Sequence, residues 1–355
     1  MQMQAETYFW KKKEFVSFLL SVLVFFIHFY FASESADGSF ISLLNHKTSY
    51  FFSRSITQFA VPMFFMLSAI AFFREYDNSK YLRKIKSRIF TLIIPYLLWN
   101  TVWMIWEILC SYSFLSRFSA STEAVPLTFT NLLKGVFFYG YNGPFWFMFN
   151  LIIFSLAAPV VFLIIKNKYV AITSIVVLSV LTLFGIHIPI SFFYDPNSII
   201  FYLIGATIGY HYFDFICKKS TKKTQIISGA FLLAYILVKT IVPQRLHVEN
   251  YLAKAVVLSL CALALWNITD AFASKLKSRP LYRRSFAVYA MHLNLALIVL
   301  KVINIVLPQR QWLEIPKFAI MVCTTLIIIN YLCALLEKFA PKIYGLFMGK
   351  GIKRT

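Results

Sequence analysis

Residues Glu14 to Ala32 read EFVSFLLSVLVFFIHFYFA, an apolar run broken by one imidazole, that of His28. About 20 such residues, at about 1.5 Å of rise each, cross the hydrocarbon core of a bilayer as a helix. An ionisable group inside hydrocarbon is costly, so one that is kept there usually serves a function. His28 is therefore the first candidate catalytic residue, and the rest of the chain is read outward from it.

Of the 355 residues, 59% are hydrophobic and 14% charged, with a mean hydropathy of +0.70. That composition excludes an ordinary soluble globular protein. The net charge of +21 would suit nucleic acid only if a polar stretch carried a basic face, and no stretch is polar enough. A basic excess in a membrane chain belongs instead to loops held at an anionic cytoplasmic leaflet. Ten apolar runs are long enough to be read as spans: Phe15–Ala32, Phe59–Phe73, Ile89–Leu109, Phe145–Ile165, Tyr169–Ile190, Ile199–Phe213, Ile226–Val242, Leu252–Ala273, Phe286–Leu307 and Phe318–Phe339. The second and sixth are short for simple spans. The expected fold is all-α, a polytopic bundle of about ten transmembrane helices forming one membrane domain over residues 1–355.

Alternate loops divide the basic residues unevenly. Of the 35 Lys and Arg, 25 fall in one set of loops, running from Lys11–Lys13 through Arg74–Arg88 and Lys218–Lys223 to Arg283, Arg284 and the carboxyl-terminal lysines. Basic loops stay on the cytoplasmic side, so both termini are expected there. Lys11–Lys13 ahead of the first run also suggest a signal peptide, but the apolar core is longer than a signal peptide's, and the run is read as a retained span. The five cysteines lie in or beside the spans with no C-x-x-C spacing, so neither a disulfide framework nor a metal site is expected.

Helical rise gives each polar residue a depth. His28 lies about 20 Å beyond Phe15, in the outer third of the bilayer. Asn100 falls at mid-depth in the third span, Glu107 near its outer end, and Trp146 and Asn150 just below the outer end of the fourth. These four are candidates for the acceptor side of a cavity open to the outside, in which His28 is the most basic group. Each also reads as an ordinary interhelical hydrogen bond or interfacial anchor. His292, in SFAVYAMHLN, lies only about 9 Å inside the inner surface. A depth difference of about 11 Å argues against a pair with His28 and puts His292 near the inner mouth. His46, His187, His211 and His247 fall in loops or near span ends and carry no signal. The two longest outward loops are Ser33–Gln58 and Ser111–Gly143. The second ends in FFYGYNGPFWFMFN, where glycine, proline and aromatics suit either a re-entrant turn lining a cavity or an interfacial anchor. On the inner side, Tyr81–Arg88 reads YLRKIKSR, an orientation signal that could also hold the phosphates of an anionic cofactor.

Five stretches together resemble the acyltransferase-3 family of bacterial membrane O-acyltransferases. They are the histidine late in the first span, VPMFFMLSAIAFF (Val61–Phe73), RIFTLIIPYLLWN (Arg88–Asn100), GPFWFMFNLI (Gly143–Ile152) and SFAVYAMH (Ser285–His292). The resemblance implies a multi-pass protein of the bacterial cytoplasmic membrane. It would move an acyl group, by default acetyl, from cytoplasmic acyl-CoA to a hydroxyl of a surface glycan or glycolipid, with no permanently bound cofactor. His28 would be the general base, acting by direct transfer or through an acyl-histidine. Arg83, Arg88, Tyr289 and His292 are the candidates for donor binding. The family places an arginine eleven positions before its histidine, and here that position is Ser17; Ala69 stands where a glycine is usual. A glycan-precursor transporter or flippase would show repeated broken helices, which are not seen. An inactive relative serving as sensor or scaffold finds its best support in Ser17. The sequence leaves the acceptor open among cell-wall sugar, capsule, lipopolysaccharide and small molecule, and carries no signal for an oligomeric state.

Overall fold

A computed structural model describes residues 2–30, 39–119, 124–186, 195, 197–242, 254–273 and 279–350. Among them all regular structure is helical, as expected of a chain whose backbone must satisfy its own hydrogen bonds in hydrocarbon. The helices are α1 (Gln2–Ile27), α2 (Phe40–Tyr50), α3 (Ala60–Phe73), α4 (Tyr81–Arg88), α5 (Ile94–Ser111), α6 (Phe129–Phe137), α7 (Trp146–Leu156) and α8 (Ala158–Ile165). They continue as α9 (Lys168–Leu183), α10 (Ser198–His211), α11 (Phe213–Ile216), α12 (Lys222–Ile241), α13 (Lys254–Ala273), α14 (Ser285–Val306), α15 (Glu314–Phe339) and α16 (Pro341–Phe347). Ala32, His187, Ile190, His247 and Leu252 lie outside the described residues.

The described part of each of the ten apolar runs is largely helical, but the helices differ from the runs in extent. Among the described residues six helical stretches are long and apolar enough to cross a membrane: Phe40–Phe73, Asn78–Ser111, Lys222–Ile241, Lys254–Phe272, Tyr282–Val306 and Gln311–Phe339. The second run is thus the end of a 34-residue helical stretch with a π-helical turn at Phe51–Ser55. This corrects the reading of Ser33–Gln58 as a loop, since residues from Phe40 onward are helical. The fourth run is bent by 70° between Gly143–Leu156 and Ala158–Ile165. Pro159 supplies the cause, because it has no N–H to give to the preceding turn. α9 and α10 are apolar but shorter than these six stretches. The helix α1 begins far ahead of the first run and carries Lys11, Lys12, Lys13 and Glu14 in its middle.

The chain divides into two compact units, each made of separate segments. One comprises Met1–Ile27, Phe51–Ile85 and Ile153–Ser285; the other comprises His28–Tyr50, Lys86–Ile152 and Phe286–Thr355. In the first, α3 is apolar on every side and buried on most of them, which suits a helix at the centre of a bundle. α10 lies directly against it, because Gly205 and Gly209 have no side chain to hold the backbones apart: a Cβ on Gly205 would lie 2.4 Å from the Met66 carbonyl oxygen. Lys84 caps α3 by donating to the carbonyls of Phe72 and Arg74. Lys12, read as a loop cation, is instead 1% exposed inside this unit. Its ammonium donates to Asp270 at 2.6 Å and lies 4.1 Å from the centre of the Trp266 ring. Asp270 also accepts from the Tyr8 hydroxyl and from Ser220. Burial pulls the Lys12 ammonium down to about 8, although Asp270 opposes the shift.

Candidate functional site

The second unit brings two histidines together. α1 ends at Ile27, and His28 stands in the turn that follows, exposed rather than embedded in the helix. His292, on α14, is completely buried. Their ring centroids are 5.3 Å apart and the rings are tilted by 40°. The two histidines are thus neighbours and not a separated pair, contrary to the expected difference in depth. The starts of two apolar runs do not lie in a common plane, so helical rise counted from each does not give depths on one scale.

Local structure fixes His292. Its Nδ1 lies 2.6 Å from the carbonyl oxygen of Tyr289, one turn earlier on α14. A carbonyl can only accept, so Nδ1 carries the proton and Nε2 the lone pair. Tyr289 is itself held, its hydroxyl donating to the Pro144 carbonyl at 2.5 Å. Its ring stacks on Phe145 with centroids 5.5 Å apart and planes within 1°. Phe145 in turn stacks on Tyr96. Tyr289 and His292, expected at a donor site near the inner mouth, are thus parts of the cluster that contains His28.

The segment before α7 is clamped onto α5 and α14 by polar side chains. Tyr96 donates to the Phe137 carbonyl at 2.7 Å, and Asn100 to that of Val136 at 3.0 Å. Trp103 donates to the Ala290 carbonyl at 3.0 Å, joining α5 to α14 directly. Asn294 donates to the Tyr141 carbonyl at 3.2 Å, and the Ser119 hydroxyl donates to Glu107 at 2.6 Å. The short helix α6 is drawn in further by Gly135, where a Cβ would lie 2.6 Å from the Met104 sulfur. Burial, with help from the Glu107 carboxylate, pushes the Tyr141 phenol up. Asn100 and Glu107, expected to face an acceptor, therefore hold this segment in place. Trp146 opens α7 half-buried, and Asn150 is buried one turn later.

Arg83 is exposed on α4, and Arg88 is half-buried at its end. His46 meets the Tyr30 hydroxyl at 2.6 Å through Nδ1, and His211 meets the Ile165 carbonyl at 2.6 Å. Among the described residues no group of three His, Cys, Asp or Glu is placed to hold a metal. Phe145, Asn294, Lys12 and Asp270 escaped the sequence reading. Asp270 alone left a trace, as an acid inside the apolar run Leu252–Ala273.

A family model described as an acyltransferase domain matches residues 16–333. No curated protein and no solved structure matches the chain.

Proposed function

The chain belongs to the acyltransferase-3 family, and on that premise we propose that it is a multi-pass O-acyltransferase of the bacterial cytoplasmic membrane. It moves an acyl group, acetyl by preference, from cytoplasmic acyl-CoA to a hydroxyl of a surface glycan or glycolipid at the outer face. The ten helical runs cross the bilayer, and both termini and α4 lie on the cytoplasmic side, where Arg83 and Arg88 receive the CoA phosphates.

The observation that carries this reading is the proximity of His28 and His292. His28 is exposed and able to meet a substrate, while His292 is buried with its tautomer set by Tyr289. In the reaction the acceptor hydroxyl gives its proton to His28 as its oxygen bonds to the thioester carbonyl carbon. The carbon–sulfur bond breaks, and the proton passes on to the departing CoA thiolate. The Nε2 lone pair of His292 favours the positive charge that develops on His28. The clamped segment from α6 to α7 keeps Tyr289, and through it His292, in register.

The test uses purified full-length protein in nanodiscs with acetyl-CoA and a surface-glycan acceptor, read by mass spectrometry. His28→Ala is expected to insert normally and to lower transfer by roughly 10²- to 10⁴-fold, the usual contribution of a general base. His28→Gln, which keeps hydrogen bonding but takes up no proton, should be equally impaired. Transfer by His28→Ala at close to the parent rate would make His28 a structural residue and remove the mechanism.

A further inference from the structure

A cavity of about 230 Å³ in the second unit is lined by Phe29, Tyr30, Asn304, Glu314, Lys317 and Phe318, among others. We propose that this cavity is the acceptor pocket and that it takes a single anionic sugar unit, with the Lys317 ammonium as counter-ion. This assignment of a substrate class rests on the acyl-transfer reading of His28.

Three observations carry it. The first is charge. Lys317 is only 2% exposed, and its Nζ donates to the Asn304 side-chain oxygen at 3.0 Å. An ammonium has three donors, and a buried cation is stable only when compensated. Glu314 lines the same cavity one turn earlier on α15, yet forms no ion pair with Lys317. An anionic group entering the cavity would supply what Lys317 lacks. The second is position. Phe29 and Tyr30 directly follow His28, and two Cα steps span at most about 7 Å. The cavity therefore lies beside the turn that carries the His28 imidazole. The third is size and lining. The volume is below the roughly 300–1,000 Å³ that drug-sized ligands fill, so one ring fits better than a chain. Three aromatic side chains, Phe29, Tyr30 and Phe318, beside a lysine and an amide suit a molecule with both an apolar face and polar edges. The Tyr30 ring is anchored by His46.

Binding to full-length protein in phosphatidylcholine nanodiscs, measured by calorimetry with glucuronate, glucose 1-phosphate and glucose, tests the proposal without requiring turnover. Both anions are expected to bind about tenfold or more tightly than glucose, as a charge-assisted hydrogen bond would give. Lys317→Gln should erase that preference and Lys317→Arg should retain part of it. Glu314→Gln, at a half-exposed position, should strengthen anion binding by removing a nearby negative charge. Equal binding of glucose, a preference surviving in Lys317→Gln, or weaker anion binding by Glu314→Gln would each overturn the assignment. So would sugar binding that is lost when the discs contain phosphatidylglycerol, since the pocket would then belong to a lipid headgroup. Acetyl-CoA consumption by the same preparation separates the two readings. Consumption without anion preference removes the pocket alone, whereas anion preference without consumption removes the acyl-transfer reading and the acceptor role with it.

Discussion

Two imidazoles with centroids 5.3 Å apart do not titrate independently. A charge on His28 is felt by His292. On the proposed mechanism His292 is a positioning residue whose effect passes through His28. His292→Gln is accordingly expected to reduce transfer by roughly 10²-fold while leaving the KM for acetyl-CoA nearly unchanged. The kcat/KM profile against pH should also change, because an amide then faces His28 in place of an imidazole. Parent-like transfer with an unchanged profile would reduce the contact to packing. His28 was legible from the sequence because an imidazole stands out in an apolar run. Its partner was not, because the pairing depends on where α1 ends and α14 begins, and apolar residues on both sides of those boundaries look alike. Asn100 and Glu107 were legible as polar residues at depth, but only the structure shows their hydrogen bonds going to Val136 and Ser119.

Among elements, the crossing of α3 and α10 is the tightest. Gly205 and Gly209 let the backbones of α10 and α3 touch, so any side chain at either position must push the helices apart. Gly205→Ala is predicted to cost about 1–3 kcal/mol, the usual range for overpacking, and to lower the midpoint of thermal unfolding in detergent. Gly229 on α12 is the control. A Cβ there meets nothing within 4 Å, and Gly229→Ala should be neutral or stabilising by about 0.5–1 kcal/mol, the difference in helix preference. Equal behaviour of the two variants would mean that α3 and α10 are not packed this closely. The spacing of Gly205 and Gly209 can be read in the sequence as a close-packing signal, yet it does not name α3 as the partner. α2 escaped detection for a different reason. Its residues, FISLLNHKTSY, mix polar and apolar types too evenly to resemble a span, and they are helical as part of the longer stretch Phe40–Phe73.

At the scale of the whole molecule, the all-helical fold was legible because hydrocarbon demands long apolar helices, while six stretches among the described residues are long and apolar enough to cross it. Their ends were not, because several helices continue well into polar sequence. The charge bias of the loops makes a topological prediction: a cysteine placed at Lys222 should resist a membrane-impermeant thiol reagent added to intact cells and react after permeabilisation. Labelling in intact cells would invert the orientation and put α4, with Arg83 and Arg88, on the wrong side for a cytoplasmic donor. The pairing of Lys12 with Asp270 bears on how such a protein is made. The two residues are 258 positions apart, and at about 5–20 residues per second a ribosome needs roughly 13–52 s to travel from one to the other. Throughout that interval the ammonium of Lys12 lacks the carboxylate that compensates it in the folded protein and is better placed among water and headgroups than inside a bundle. α1 therefore leaves the ribosome long before α13 but is seated only after it, since its final docking waits for Asp270.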